Sequence, residues 1–252
     1  MLRLRQIALV AHDRDLVVGH LCEVLGLAIA FHDPAVATFG LHNAVLPAGH
    51  QFIEVVAPVQ DGTAGGRYLD RRHGDGGYMA IFQCDDHGPL EDRLRSLGVR
   101  VAFGHDTDHY RIRQLHPRDT GGTFLEIDVQ VGGEALAGPW EPAGPDWRAA
   151  RTPHVLAISA AEIQSDDPLA LATRWGAILD RAVVTDGGCS HTHVDNATVR
   201  FVPATDGRGE GLGGIDLRLD DPGAALARAA ARGLPVEGDV VHIGGVRMRL
   251  TA

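Results

Sequence analysis

"CDDHGPLEDRLRSLGVRV", residues 84–101, and "LDDPGAALARAAARGLPV", residues 219–236, carry one pattern twice. Each leaves an apolar stretch through paired aspartates and enters a helix with proline in its first turn. Each then stops at a glycine twelve residues after the second aspartate, Asp86 to Gly98 and Asp221 to Gly233. Proline fits a helix start because the missing N–H has no intrahelical acceptor there, and glycine tolerates the left-handed turn that ends a helix. The offset is 135 residues throughout, so the chain repeats a strand–helix–strand unit. A repeated unit specifies architecture more strongly than any single motif.

Reading outward, the same plan occurs four times. A strand at 4–11 and a helix at 16–27 precede short strands at 28–32, 35–41 and 52–58. The second unit runs from a strand at 78–84 through a helix at 89–97 to strands at 99–103, 110–115 and 123–131. The second half repeats this with a strand at 154–159, a helix at 168–179 and strands at 181–185, 189–194 and 198–202, and then the unit quoted first. The stretch "GGEALAGPWEPAGPDWRAARTP", residues 132–153, reads as a linker, with Trp140 and Trp147 tacking it to a domain surface. The expectation is an α+β protein with domains at 1–131 and 154–252 joined by a linker at 132–153. Each domain has two βαβββ units forming a curved eight-stranded half-barrel with helices outside.

The bulk properties narrow the function. A net charge of −10 argues against a nucleic-acid surface, which needs concentrated positive charge. All 23 basic residues are arginine, which removes Schiff-base and phosphate-loop lysines from consideration. Cys22, Cys84 and Cys189 lie far apart, form no CxxC pair and imply neither disulfides nor structural zinc. The apolar run 7–11 is too short for a secretory leader and no span suits a membrane, so a cytoplasmic chain without membrane or nucleic-acid partners is expected.

The strand in "LHPRDTGGTFLEIDVQ", residues 115–130, alternates Phe124, Glu126 and Asp128 with Leu125, Ile127 and Val129. Leu125 and Ile127 suit the core beneath the helices. A lone strand carboxylate is most simply a solvated outer-face residue; in a curved half-barrel, however, the Glu126 face can line a concave pocket.

Three stretches, "RQIALVAHDRDLVVGHLCEVLGL" (5–27), "QFIEVVAPV" (51–59) and "LHPRDTGGTFLEI" (115–127), resemble the vicinal-oxygen-chelate superfamily of glyoxalases, bleomycin-resistance proteins, extradiol dioxygenases and methylmalonyl-CoA epimerases. The third is most similar to the closing hairpin of the epimerases. The resemblance implies a divalent metal held by one side chain from each of four strands. In the first domain the matching positions are Gln6, Glu54, Met79 (Tyr78 if the register slips by one) and Glu126, with Met79 where the family has histidine. Thus Gln6, Glu54 and Glu126 are the candidate ligands for one metal ion, and none is expected in the second domain. There Met79 matches Gly214, Glu54 falls opposite Val199, Glu126 aligns with Arg249, and His154 takes the position of Gln6. His12 is about 20 Å along the strand from Gln6 and cannot fill the histidine position.

The resemblance implies two function classes. One is an isomerase or lyase type enzyme moving a proton next to a carbonyl, with Glu54 and Glu126 catalytic and Tyr78, Met79, His116 and Arg118 binding a small-molecule substrate. The other is a metal-free protein that binds or sequesters a small molecule, as a monomer or homodimer. Outside this set, Cys189, His191 and His193 share a strand face with metal-compatible chemistry, although the polar outer face of a short edge strand is the better explanation. His105 and His109 read as rim residues, Arg111 and Arg113 as anion contacts or solvated arginines, and "GGRYLDRRHGDGG" (65–77) as a mobile loop covering the pocket.

Overall fold

The computed structural model describes all residues, 1–252. The first half forms β1 (Leu2–Val10), α1 (Arg14–Leu25), β2 (Leu41–Ala48), β3 (Gln51–Pro58), α2 (Ala64–Arg72), β4 (Gly76–Cys84), α3 (Gly88–Leu97), β5 (Val101–Asp106), β6 (Tyr110–Leu115) and β7 (Phe124–Gln130). The second half forms β8 (Val155–Ser165), α4 (Pro168–Leu179), β9 (Val183–Asp186), β10 (Cys189–Val194), β11 (Ala197–Pro203), β12 (Gly211–Leu219), α5 (Pro222–Ala231), β13 (Val236–Glu237), β14 (Val240–Ile243) and β15 (Val246–Thr251). The strands make two open mixed sheets, ordered β2-β3-β1-β4-β7-β6-β5 and β13-β14-β15-β12-β8-β11-β10-β9.

The four-unit repeat is visible in the pairing. The first strand of each unit pairs parallel with its last, as β1 with β3, β4 with β7, β8 with β11 and β12 with β15. Units then join through antiparallel first strands, β1 with β4 and β8 with β12. The intervening helix makes each parallel return possible, because a parallel pair needs a crossover.

Three local expectations fail. Residues 28–32 contribute one isolated bridge, Phe31 to Val45, and residues 35–41 are largely a 3-10 helix, Pro34–Phe39, before β2 begins at Leu41. The first sheet therefore has seven strands. Asp33 caps that turn by accepting the Ala35 N–H at 2.9 Å, with Pro34 following as a helix-start residue, and this local pairing displaces the strand. The loop expected at 65–77 contains α2, capped by Thr63 and burying Tyr68, Leu69 and Arg72. Glycines at its start concealed the helix.

Helices α1 and α5 pack together, as do α3 and α4, so the helix layers of both sheets merge into one continuous apolar core. At its edge β4 meets β12: a Cβ on Gly77 would lie 2.5 Å from the Leu212 carbonyl oxygen, an approach only glycine allows. Buried Arg72 adds a polar tie, donating to the carbonyls of Arg208, Gly209 and Glu210 at 2.8, 2.6 and 2.8 Å. The concave faces point away from this shared core. No helix is long and apolar enough to cross a membrane.

The segment between the sheets does more than skirt a surface. Trp140 and Trp147 are 1% and 0% exposed and fill the concave face of the first sheet. Trp147 meets Phe52 edge-on at 5.1 Å, and Trp140 meets Tyr110 edge-on at 5.6 Å. Two fully buried indoles supply the apolar area that a half-open sheet lacks on this side.

Candidate functional site

Two strand irregularities shape the concave face of the first sheet. Opposite β4, β1 carries an extra residue at Arg5, and β4 carries one at Tyr78. Each bulge turns two successive side chains toward the same side. Tyr78 and Met79 therefore both join the concave apolar cluster, while Ala80 and Phe82 enter the core beneath the helices. Across the face, Glu54 pairs with Ala8 and Ala8 with Met79; one step along, Gln6 pairs with Ile81 and Ile81 with Glu126. The carboxylates are 6% (Glu54) and 7% (Glu126) exposed, which excludes the solvated outer face.

Neutral donors hold both. Glu54 accepts from Gln6 Nε2 at 2.9 Å and from Asn43 Nδ2 at 2.6 Å. Gln6 is oriented in turn by Trp140, whose indole N–H donates to Gln6 Oε1 at 2.7 Å. Glu126 accepts from Gln114 Nε2 at 3.0 Å, and the Tyr110 hydroxyl donates to Asp128. Burial pushes the Glu54 carboxyl up to about 7; the Asn43 and Gln6 amides oppose this, and the Glu126 charge adds to it. Burial likewise raises Glu126, and raises Asp128 well above the usual range with help from Glu126. No arginine or histidine is among the groups that shift Glu54 or Glu126. Buried acids without a cationic partner favour their protonated forms, the condition for acid–base work near neutral pH.

The residues do not fit a divalent metal in this arrangement. Gln6 Oε1, its one metal-binding atom, faces the Trp140 N–H, and both Glu54 oxygens face amide N–H groups. The fourth position is the Met79 thioether, a poor ligand for a hard cation. No cluster of three His, Cys, Asp or Glu with metal-binding geometry occurs anywhere, Cys189, His191 and His193 included.

Of the expected site residues, Gln6, Glu54, Tyr78, Met79 and Glu126 converge, whereas His116 and Arg118 do not. His116 caps the 3-10 turn Pro117–Asp119, accepting the Arg118 N–H, and Arg118 is exposed. That turn docks on the second half, where Trp175 Nε1 donates to the Thr120 carbonyl at 3.1 Å. Arg113 is engaged by Glu91 and Asp106, and His105 and His109 are exposed. His154 is not the counterpart of Gln6: it precedes β8, lies exposed and contacts Asp220 at 3.2 Å. The bulges in β8 and β12, at Ser159 and Gly213, match those at Arg5 and Tyr78. They place Ala160 at the Gln6 position, Glu162 at Ala8, Arg200 (not Val199) at Glu54 and Arg249 at Glu126. Asn43, Gln114, Asp128, Tyr110 and Trp140 complete the site and had no motif to mark them. Two surface clefts, one beside α4 lined by Gly176, Asp180 and Val183 and one lined by Met1, Arg111 and Glu134, lie outside it.

A model of the glyoxalase-like domain family matches residues 7–179. The chain belongs to this glyoxalase-like family. It thereby falls within the vicinal-oxygen-chelate superfamily. The chain is similar in structure to a triple mutant of 4-hydroxymandelate synthase from Streptomyces coelicolor, with a TM-score of 0.69, 16% identity, and coverage of 92% of this chain and 75% of that one. A hypothetical protein from Staphylococcus aureus gives a TM-score of 0.69 at 11% identity, covering 99% and 98%. Methylmalonyl-CoA epimerase from Mycobacterium tuberculosis gives 0.45 at 25% identity, covering 50% of this glyoxalase-like chain and 87% of that one. The first two likenesses speak to fold alone. No curated protein sequence matches.

Proposed function

We propose that this glyoxalase-like protein catalyses metal-independent proton transfer at a carbon next to a carbonyl, as an epimerase, isomerase or lyase type enzyme. The supporting observation is a pair of buried carboxyl groups, Glu54 and Glu126, each fixed by neutral amides and neither paired with a cation. In this reading Glu126 takes a proton from the substrate carbon and the electron pair moves onto the carbonyl oxygen. Glu54, titrating near 7, returns a proton or takes one in the reverse direction. Tyr78, Met79 and Phe124 form the apolar wall against which the substrate lies.

The same apolar wall favours one alternative, a protein that binds an amphipathic small molecule without transforming it. Solvent-deuterium exchange into 2-substituted carbonyl compounds and acyl thioesters separates the two. Under the enzyme reading a compound exchanges, and Glu126→Gln abolishes exchange while leaving the fold intact, because shape is kept and the proton acceptor is lost. Ligands that raise the melting temperature while no compound exchanges would establish the binding reading instead.

A further inference from the structure

We infer that Asp128 and Glu126 form a carboxyl dyad sharing one proton, with Tyr110 as its anchor, and that Asp128 is a positioning residue keeping the dyad's charge on Glu126. Both side chains leave β7 on the same face, two residues and about 7 Å apart along the strand. Asp128 is fully buried; one oxygen, Oδ2, accepts the Tyr110 hydroxyl, and the other, Oδ1, has no donor. The Asp128 and Glu126 carboxyls lie within hydrogen-bonding reach of each other. Two ionised carboxylates are acceptors only, so that contact requires a proton between them. Tyr110 cannot provide it, since its single hydroxyl hydrogen is committed to Oδ2.

The surroundings leave no substitute for that proton. From β6 the facing groups are Tyr110, Ile112 and the Gln114 amide; from β4 they are Ile81 and Gln83. Glu54 faces the pair from β3, Cys84 lies nearby on β4, and Glu141 stands on the connecting segment beside Tyr110. Arg5 approaches Tyr110, but its two terminal guanidinium nitrogens donate to the carbonyls of His50, Leu136 and Gly138. Arg113 points to the opposite face, toward Glu91 and Asp106. Asp128 is the more buried partner and holds the proton; Glu126 keeps slight exposure and the Gln114 N–H, and carries the charge.

The catalytic consequence rests on the proton-transfer reading. When a substrate C–H bond breaks, its proton adds to Glu126 and its electron pair stays on the substrate as an enolate. The dyad passes from singly to doubly protonated, and return of that proton, or delivery of one from Glu54, closes the cycle without any redox partner. Asp128→Asn imitates the protonated acid: its amide can donate to Glu126 while its oxygen accepts from Tyr110.

Infrared difference spectra of the ligand-free Glu54→Gln protein near pH 9 test the dyad directly, with no carboxyl left to titrate at Glu54. A protonated-carboxyl band that shifts in D2O is expected, that vanishes on adding Asp128→Asn and moves with Tyr110→Phe. A missing band, or one surviving Asp128→Asn, overturns the dyad. In the exchange assay Asp128→Asn should retain activity within a few fold, whereas Asp128→Ala should lose about ten- to a hundredfold near pH 7, as expected for a lost hydrogen bond to a charged group. Its rate should also rise with pH later than in the parent, because Glu126 has lost the donor that stabilises its anion. Equal loss in both variants overturns the positioning role. Exchange without the band leaves the proton-transfer reading standing and removes the dyad; the band without exchange does the reverse.

Discussion

The two concave faces occupy equivalent places in two copies of one architecture, and they solve the problem of buried polarity in opposite ways. On the first, Glu54 and Glu126 are enclosed, bonded by neutral amides and roofed by Trp140 and Trp147. On the second, the matching positions are Arg200 and Arg249, which meet Asp216, while Arg200 and Arg247 both meet Glu162. That face is a partly exposed ladder of alternating charge in which each ion has a partner. Charges that are matched and partly exposed contribute modestly. Charges that are buried without counter-ions are costly, which is why such groups mark sites of chemistry. The repeat has thus kept the scaffold twice and the unmatched acids once.

The largest expected difference between the faces lies in the roof. Trp140→Ala removes a fully buried indole, its edge contact with Tyr110 and the N–H that orients Gln6. A loss of about 3–5 kcal/mol is expected, as for a large aromatic replaced by alanine in a core. Denaturant midpoints measure it. A loss below about 1 kcal/mol would mean that the connecting segment is loosely laid on the first sheet, and would bring the two faces closer in character.

The contrast between the faces was only partly legible in the sequence. Alternation in β7 separated Leu125 and Ile127 from Glu126, because a strand's period of two is local information. The repeated Asp-to-Gly spacing likewise announced α3 and α5, with Asp221 capping the start of α5 and Gly98 the end of α3. The partners of the carboxylates were another matter. Asn43 and Gln114 reach Glu54 and Glu126 from β2 and β6, and that register is set by pairing across the sheet. His154 stands just before β8, whereas pairing across the sheet puts Ala160, directly after the Ser159 bulge, at the position of Gln6, and that register is not written in local spacing. Trp140 lies 134 residues from Gln6, so their hydrogen bond follows only from the completed fold.

A second, smaller difference should appear in the pH dependence of stability. Glu54 titrates near 7 when folded, against 4.5 for the ordinary carboxyl, so between these values the folded state binds more protons than the unfolded one. Its contribution is therefore complete below about pH 4.5 and is lost as pH rises through 7, a change of about 3 kcal/mol for a shift of this size. Asp206 on the second face behaves oppositely. Burial raises its pKa, but the Arg208 N–H, the Gln164 amide and the Arg72 and Arg247 charges outweigh this and hold it low. Its contribution is present above the unfolded pKa and is lost as pH falls. Glu54→Gln should flatten the fall in stability toward pH 8, measured by thermal melts across pH, while Asp206→Asn should leave that limb unchanged. A Glu54→Gln protein as pH-sensitive as its parent would relocate the unmatched charge.

The smallest effect belongs to the ladder itself. Arg247 donates to Glu162 at 2.8 Å and lies 3.6 Å from Asp206, with its side chain 31% exposed. Glu162 keeps Arg200 at 3.3 Å when Arg247 is removed, so no ion is stranded in a dry interior. Arg247→Ala should therefore cost no more than about 1 kcal/mol, the range of partly exposed ion pairs, where side-chain ordering and solvent screening offset most of the attraction. A double-mutant cycle with Glu162→Ala isolates the pair, and its coupling should shrink when salt is raised to about 1 M, where screening acts within about 3 Å. Coupling of several kcal/mol that persists in high salt would show that water does not reach the second face. The difference between the two faces would then lie in charge matching alone, with burial common to both.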